Sequence, residues 1–146
     1  MKWVTRKNAK VDRVACPWLV KRFVDPEAEF LYVPADLVLV VARDQQAIPY
    51  DVKEVELGHV EGRCTFESII RKYEIDDPAL DMLARIVHGA DVSGDRGIVP
   101  EAAGLFAMAN GFALLHGEDD HEKIRLETPM YDALYAWCQS QVATGR

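Results

Sequence analysis

The sequence lacks the cysteine pattern of a disulfide-stabilised or zinc-ribbon protein. It contains three cysteines in 146 residues, and Cys16, Cys64 and Cys138 are too widely spaced to form a CxxC motif. An odd number of scattered cysteines is typical of reduced thiols. A dithiol that cycles between oxidised and reduced forms is therefore not expected.

Long apolar runs are also missing. No segment approaches the ~18 apolar residues that cross a bilayer, and the basic N-terminus MKWVTRKNAK is not followed by an uninterrupted apolar segment. This pattern differs from that of a secretory signal. We therefore expect a cytoplasmic protein that does not bind membranes.

Positive charge is in deficit. The chain has 24 Asp and Glu residues against 17 Lys and Arg residues, which gives a formal net charge of −7. Such a surface repels a phosphate backbone, so direct binding of nucleic acid by this chain alone is disfavoured. The sequence also has no GxGxxG fingerprint for a flavin or nicotinamide. Turnover of a substrate with NADH or NADPH alone is therefore not expected.

The first third of the chain predicts a small β-α-β unit. The segment KWVTR is short and β-branched, a helix follows with Asp12 as its expected cap, and EFLYVP is typical of a second strand. Pro17 is compatible with this helix only if it falls in the first turn. The next segment, ADLVLVVARDQQ, predicts another helix.

From Thr65 onward the apolar spacing becomes helical. FESIIRKY and IDDPALDMLARIVHGAD predict two consecutive helices, and EDDHEKIRLETPMYDALYAWCQSQ predicts one or two more. PEAAGLFAMANGFALLHG is a strongly apolar helix with many small residues, which we expect at the centre of the core. The fold class is therefore α+β, predominantly α-helical, with an N-terminal β-α-β unit and a C-terminal helical bundle. A length of 146 residues predicts one domain over 1–146.

The segment HGAD, residues 88 to 91, contains a possible pair of metal ligands. His88 and Asp91 are three residues apart, so they lie on one side of a helix if the helix continues through the glycine. An antiparallel hairpin of two helices would bring Glu67 close to them, and His59 lies in the extended segment just before. A set of His59, Glu67, His88 and Asp91 suits zinc, iron(II) or manganese.

Other interpretations of these residues stay open. Histidine followed three residues later by aspartate is common, and a solvated helix end explains it without a metal. Cys64 is a ligand, a redox thiol or a small core residue.

Three arginines near the N-terminus form a second candidate site. Arg6 at a strand end, Arg13 at a helix start and Arg22 could bind an oxyanion together with helix N-terminal amides. The alternative is that Asp12 caps the helix and the arginines pair with nearby carboxylates.

Five segments, taken in order, resemble the chromate-resistance family, and within it the C-terminal domain of the ChrB type. They are KWVTRKNAKVDRVACPWLVKRFVDPEAEFLYVP, GHVEGRCTFESII, IVHGAD, PEAAGL and YDALYAWC. The resemblance covers almost the whole chain. It implies a histidine before the CTFE segment and a His-x-x-Asp after the next helix, which fall on His59, Glu67, His88 and Asp91.

The resemblance implies a role in chromate resistance or a stress response, without a defined reaction. Our first hypothesis is a cytoplasmic metal-binding domain, and the alternative is a non-catalytic sensor or interaction module that binds an oxyanion such as chromate and acts on a protein partner. Whether the chain is an enzyme is left open. A metal with an open coordination position could activate water, so we expect any metal-dependent activity to be hydrolytic or lyase-like.

Overall fold

The computed structural model describes residues 1–145. The chain forms a three-stranded parallel sheet and six α-helices within these residues. The elements are β1 (Lys2–Arg6), α1 (Asp12–Phe23), β2 (Glu29–Val33), α2 (Val38–Gln45), β3 (Ile48–Pro49), α3 (Thr65–Lys72), α4 (Pro78–Asp91), α5 (Pro100–His116) and α6 (Asp120–Ala143). Short 3-10 turns lie at Ala35–Leu37 and Ser93–Asp95. The predicted fold class, α+β and mainly helical, is confirmed.

Strand β1 lies at the centre of the sheet, in the order β2-β1-β3. Trp3 is paired with Phe30 of β2 and with Ile48 of β3, and all three strands are parallel. The three central residues of β1 are buried, as expected for a parallel strand covered on both faces. The predicted β-α-β unit is therefore present, and the strand ends of β1 and β3 lie side by side.

Helices cover both faces of this sheet. On one face, Val4 packs with Val38 of α2 and with Ala47. On the other face, Trp3 and Phe30 belong to the main core, which the helical half of the chain completes. The sheet is therefore a middle layer between helices, and the ends of its strands remain open.

Helix α1 differs from the prediction in two respects. Asp12 does not cap it, because the N-cap residue is Val11 and no side chain caps the helix. Pro17 lies in its interior, beyond the first turn. A proline there leaves the carbonyl of Arg13 without its helical donor, and the hydroxyl of Tyr32 donates a hydrogen bond to that carbonyl instead. Tyr32 of β2 thus supplies the hydrogen-bond donor that Pro17 cannot.

Trp18 of α1 is the aromatic centre of the main core. Its ring is stacked on Phe66 of α3 at a centroid distance of 6.5 Å and meets Tyr131 and Tyr135 of α6 at 6.2 and 5.6 Å. Aromatic pairs at such distances add to the free energy of area burial. These contacts fix α3 and α6 against α1.

Helix α4 continues through Gly89 to Asp91, which the glycine had left uncertain. The reason for glycine is a close approach of α5. A methyl group at Gly89 would lie 2.6 Å from Cβ of Ala102 and 2.8 Å from Cγ2 of Ile98. No side chain fits there, so the glycine allows α5 to pack directly on the end of α4.

The expectation that α5 forms the centre of the core is wrong. Its buried residues are Ala102, Leu105 and Ala109, whereas Leu114 and Leu115 are 88% and 78% exposed. Apolar composition predicted burial, but only one narrow side of the helix packs on α4. The main core lies between the sheet and α1, α3, α4 and α6, and α5 contributes only Leu105 and Ala109 to it.

All three cysteines are buried and unpaired, in agreement with reduced thiols. Within residues 1–145, every helix is too short or too polar to cross a membrane.

Candidate functional site

The start of α3 and the end of α4 meet, as the helical hairpin predicted. His88 Nδ1 lies 2.6 Å from Oε1 of Glu67, and His88 Nε2 lies 2.6 Å from Oδ2 of Asp95 in the turn after α4. The same Glu67 oxygen accepts a hydrogen bond of 2.9 Å from the backbone N–H of Cys64. We call Glu67, His88 and Asp95 the His88 clamp.

The His88 clamp is a matched set of donors and acceptors. Burial by itself lowers the pKa of His88, but its bonds to Asp95 and Glu67 together raise that pKa above its ordinary value. An imidazolium has two N–H donors, and each of them meets one carboxylate. The clamp therefore ties α3, α4 and the following turn together.

A second histidine lies in a different environment. His59 Nε2 is 2.9 Å from Oδ2 of Asp91, 3.5 Å from Oδ2 of Asp12 and 3.5 Å from Oδ1 of Asp51. We call these four residues the aspartate–histidine cluster. The side chain of His59 is 49% exposed, while that of Asp12 is fully buried. One ring nitrogen thus faces three carboxylates, in a recess that opens to solvent.

Each aspartate of the cluster comes from the end of a regular element. Asp12 begins α1 after β1, Asp51 follows β3, and Asp91 is the last residue of α4. β1 and β3 are parallel neighbours, so the segments after them emerge at the same edge of the sheet. That edge is where open parallel sheets usually bind ligands.

Thr65 at the start of α3 fixes two of these carboxylates. Its backbone N–H donates a hydrogen bond of 2.8 Å to Oδ2 of Asp12, and its hydroxyl donates one of 2.8 Å to Oδ1 of Asp51. His59 is brought in by Gly58, whose close approach to the carbonyl of Val52 leaves no room for a side chain. The cluster is therefore held by backbone geometry as well as by charge.

The pKa values of Asp12 and His59 in this cluster lie far from their ordinary values. Burial, together with repulsion from Asp91 and Asp51, raises the pKa of Asp12 to about 8. The carboxylates of Asp12, Asp51 and Asp91, which all face Nε2 of His59, raise the pKa of the imidazole to about 12. Among residues 1–145, Oδ1 of Asp12 has no hydrogen-bond partner. The His59 imidazolium directs one N–H into this recess. The three carboxylates around it therefore offer more acceptor oxygens than that N–H can bond.

Two of the three predicted arginines lie at this cluster. Arg6 and Arg13 approach Oδ2 of Asp51 at 3.7 and 3.8 Å, and both line a cavity of about 380 Å³ that also contains His59 and Lys10. Arg22 lies elsewhere, paired with Asp132 at 3.0 Å. The predicted set of three arginines is therefore divided.

The four predicted metal ligands are divided as well. Glu67 and His88 belong to the clamp, and His59 and Asp91 belong to the cluster. Two groups bring one donor atom from each member within 4.8 Å of the others: Cys64, Glu67 and His88, and Asp12, His59 and Asp91. Asp12 and Asp51 were missed as site residues, although both follow strands of one parallel sheet, a signal that could have found them.

Comparison with known proteins gives a consistent result. The family model described as ChrB, C-terminal domain, matches residues 3–138. Protein ChrB of Cupriavidus metallidurans is 36% identical over 110 residues, which is 75% of this chain and 32% of that protein. The chain thus spans about a third of the length of this relative. No solved structure matches the chain.

Proposed function

The chain belongs to the family of ChrB C-terminal domains, and we propose that it acts in chromate resistance by binding a divalent transition metal ion at the aspartate–histidine cluster. This proposal keeps His59 and Asp91 from the ligand set predicted by sequence and adds Asp12 and Asp51. It assigns Glu67 and His88 to the clamp.

The observation that carries this proposal is the carboxylate of Asp12. Its side chain is fully buried, its Oδ1 lacks a partner in the described part of the chain, and two further carboxylates lie beside it. Burying a charge without enough partners is costly, so this arrangement requires either protonation or a cation. A divalent ion neutralises more than one carboxylate at once.

The donor set fits such an ion. Asp12, His59 and Asp91 offer two carboxylate oxygens and one imidazole nitrogen, which suits zinc, iron(II) or manganese. Asp51 lies within reach as a further ligand or as a hydrogen-bond partner of His59. Three protein ligands leave a coordination position open, where a bound ion would acidify water or accept an anion.

Metal binding should be measured on protein prepared without a polyhistidine tag and stripped with a chelator. Isothermal titration with zinc and manganese, checked by elemental analysis, should give close to one ion per chain. Asp91→Asn should weaken binding at least ~10-fold, because it removes a charged ligand. The matched control is Glu67→Gln, which neutralises one carboxylate of the other group and should leave the affinity unchanged. Loss of binding in Glu67→Gln, with normal binding in Asp91→Asn, contradicts the proposal.

A second candidate function is oxyanion binding at the mouth of the same recess. Arg6 and Arg13 lie 3.7 and 3.8 Å from Asp51, which is longer than a hydrogen bond. Each guanidinium has five N–H donors, so both retain donors for a tetrahedral anion such as chromate or sulfate. This candidate corresponds to a sensor rather than an enzyme.

Thermal unfolding of metal-free protein with chromate and with sulfate tests this second candidate. We expect a rise in Tm that Arg13→Gln removes. Arg22→Gln is the control, since Arg22 pairs with Asp132 away from the recess, and it should respond as the wild type does. An unchanged Tm in all three proteins removes the oxyanion candidate and leaves the metal proposal intact.

A cytoplasmic location and a role in a stress response are part of the same proposal. Its support is the three unpaired, buried cysteines, which suit a reducing compartment. Fractionation of the native host with an antibody against the chain tests the location.

A further inference from the structure

One side of helix α5 is apolar and faces solvent. Between Glu101 and His116 the helix carries no charged residue, and its buried residues are Ala102, Leu105 and Ala109. Six residues at helical spacing lie on the side away from these three. We call them the α5 stripe: Gly104, Ala107, Met108, Gly111, Leu114 and Leu115.

The α5 stripe is a continuous apolar surface. Leu114 and Leu115 are the two most exposed large apolar side chains in residues 1–145, and Met108 is half exposed. The stripe extends from Gly104 to Leu115, which is ~17 Å along the helix axis. Single apolar residues on a surface are ordinary, whereas a contiguous apolar surface marks an interaction site. A partner would bind here without removing any charge of α5 from water.

The two glycines of the stripe serve no purpose in the packing of the described chain. Both lie in the interior of α5 with negative φ, where glycine is less favourable than alanine. Apart from the adjoining backbone of α5, a methyl group at Gly104 or Gly111 would meet no atom of residues 1–145 within 4 Å. At Gly89, by contrast, α5 itself fills the space. The backbone at Gly104 and Gly111 is therefore open to a helix that approaches from outside.

The α5 stripe is complementary in size to a second copy of itself. The pair Gly104 and Leu115 and the pair Met108 and Gly111 share one midpoint in the sequence. A two-fold axis at this midpoint packs two α5 helices antiparallel. Leu115 of one copy then lies on Gly104 of the other, and Met108 lies on Gly111. Both bulky side chains meet a glycine in a single register, and the helix dipoles oppose each other favourably.

We propose that the chain forms a two-fold symmetric dimer through antiparallel packing of the α5 stripe. Such an interface uses the same patch on both copies. Two helices in contact over this length bury less than a standard interface of ~1,600 Å², so the dimer dissociates in the micromolar range. No residue of the stripe lines the cavity at His59, and the dimer is therefore independent of the proposed metal site.

Sedimentation velocity of the full chain over a range of concentrations measures this dimer. Each copy has a net charge of −7, so added salt should screen the repulsion between copies and strengthen dimerisation. Leu115→Glu should weaken the dimer at least ~10-fold, because it buries a charge without a partner. The matched control is Leu39→Glu, which makes the same change at an exposed leucine of α2 and should dimerise normally.

Gly111→Ala separates an interface from a structural role. Alanine favours the helix within one copy, so the monomer should unfold at a higher urea concentration. The added methyl group occupies the space for Met108 of the second copy, so the dimer should weaken by overpacking. A glycine with no role in association would produce the first effect without the second.

Cross-linking tests the register. The native cysteines are buried, so Gly104→Cys and Leu115→Cys each add one exposed thiol. In the antiparallel dimer, residues 104 of one copy and 115 of the other are adjacent, whereas two residues 115 lie ~16 Å apart along the axis, too far for a disulfide. Oxidation of the two variants mixed should therefore give covalent dimers much faster than oxidation of either variant alone.

Three results would overturn the proposal. One is a chain that stays monomeric up to hundreds of micromolar, which would leave the α5 stripe to a different protein. Another is a dimer that Leu115→Glu and Leu39→Glu affect equally, which would place the interface elsewhere. The third is faster cross-linking of each variant with itself than with the other, which would mean parallel helices.

Discussion

His59 and His88 both lie among carboxylates, but they are held in opposite ways. His88 directs each ring nitrogen to one carboxylate at 2.6 Å, and its side chain is 10% exposed. His59 directs a single nitrogen to three carboxylates at 2.9 to 3.5 Å, and its side chain is 49% exposed. The first arrangement gives each ring nitrogen its own carboxylate, and the second places more acceptors around one nitrogen than it can bond.

This difference assigns stability of the fold to the His88 clamp and ligand binding to the aspartate–histidine cluster. A fully satisfied buried network rigidifies a fold, whereas an unsatisfied one costs free energy until a ligand completes it. Local rules are usually broken at functional sites. We therefore expect variants of the His88 clamp to lose stability and keep the metal, and variants of the aspartate–histidine cluster to lose the metal and keep stability.

Glu127 of α6 sharpens the comparison, because it is a buried carboxylate outside both groups. It is 0% exposed, and neither of its oxygens has a hydrogen-bond partner within residues 1–145. Burial raises its pKa to about 8, although Lys123 one turn earlier lowers it. Between the ordinary pKa of 4.5 and about 8, the folded state holds a proton that the unfolded state has lost. Stability therefore falls as the pH rises through this window.

Glu127→Gln should remove that pH dependence, because the amide mimics the protonated acid. Urea unfolding at pH 4 and pH 8 should give equal free energies for variant and wild type at the lower pH. At the higher pH the variant should be more stable by up to ~4 kcal/mol, the equivalent of the raised pKa. A difference that is the same at both pH values would show that folding leaves the pKa of Glu127 unchanged.

His88→Ala should break the His88 clamp. It leaves Glu67 and Asp95 without their shared cation and opens a space at the end of α4, so we expect a loss of ~3 kcal/mol, as for a hydrogen-bonded charged group. Urea unfolding measures this loss. Zinc titration of the same variant should match the wild type, and loss of zinc binding in a folded variant would move the metal site to the Cys64, Glu67 and His88 group.

Gly89→Ala tests the packing that holds both groups in place. The new methyl group would lie 2.6 Å from Cβ of Ala102, and we expect a cost of ~2 kcal/mol in unfolding free energy from overpacking. Ala102→Gly in the same chain should recover part of it. Gly104→Ala is the control, because, apart from the adjoining backbone of α5, no atom of residues 1–145 lies within 4 Å of its added methyl group. It should stabilise α5 by up to ~1 kcal/mol, and a similar effect of both alanines would contradict the close contact.

The sequence predicted what depends on local periodicity. The β-α-β unit and the α3–α4 hairpin followed from apolar spacing, and the hairpin in turn predicted the contact of Glu67 with His88. Helix α5 was misassigned to the core because its apolar residues lie on all sides, so composition could not tell which side packs. The close contact of Gly89 with Ala102 decides which side of α5 packs on α4. This contact is tertiary and cannot be read from the local sequence.

The residues that the structure brings together in the candidate site were named from the sequence only in part, for a related reason. Asp12 at a helix start has the local pattern of a cap, and nothing nearby in sequence indicates that its side chain turns inward to Thr65. Asp51 joins it because β1 and β3 are parallel neighbours, a pairing between segments that are more than 40 residues apart in the sequence. The pairing of His59 with Asp91 therefore depends on long-range topology.

Asp12→Asn completes the comparison, with the smallest expected change in stability. The amide oxygen can still accept the hydrogen bond from the Thr65 N–H, and the amide nitrogen can donate to Asp91 or Asp51, where two carboxylates repelled each other before. We expect the metal-free variant to gain ~1 kcal/mol in unfolding free energy. Zinc affinity should fall at least ~10-fold, since a neutral amide replaces a charged ligand. Measured side by side with His88→Ala, this variant separates the two groups: a stabilised protein that no longer binds zinc assigns the excess of carboxylates to ligand binding. A destabilised variant with wild-type zinc affinity would instead make Asp12 a structural residue like those of the His88 clamp.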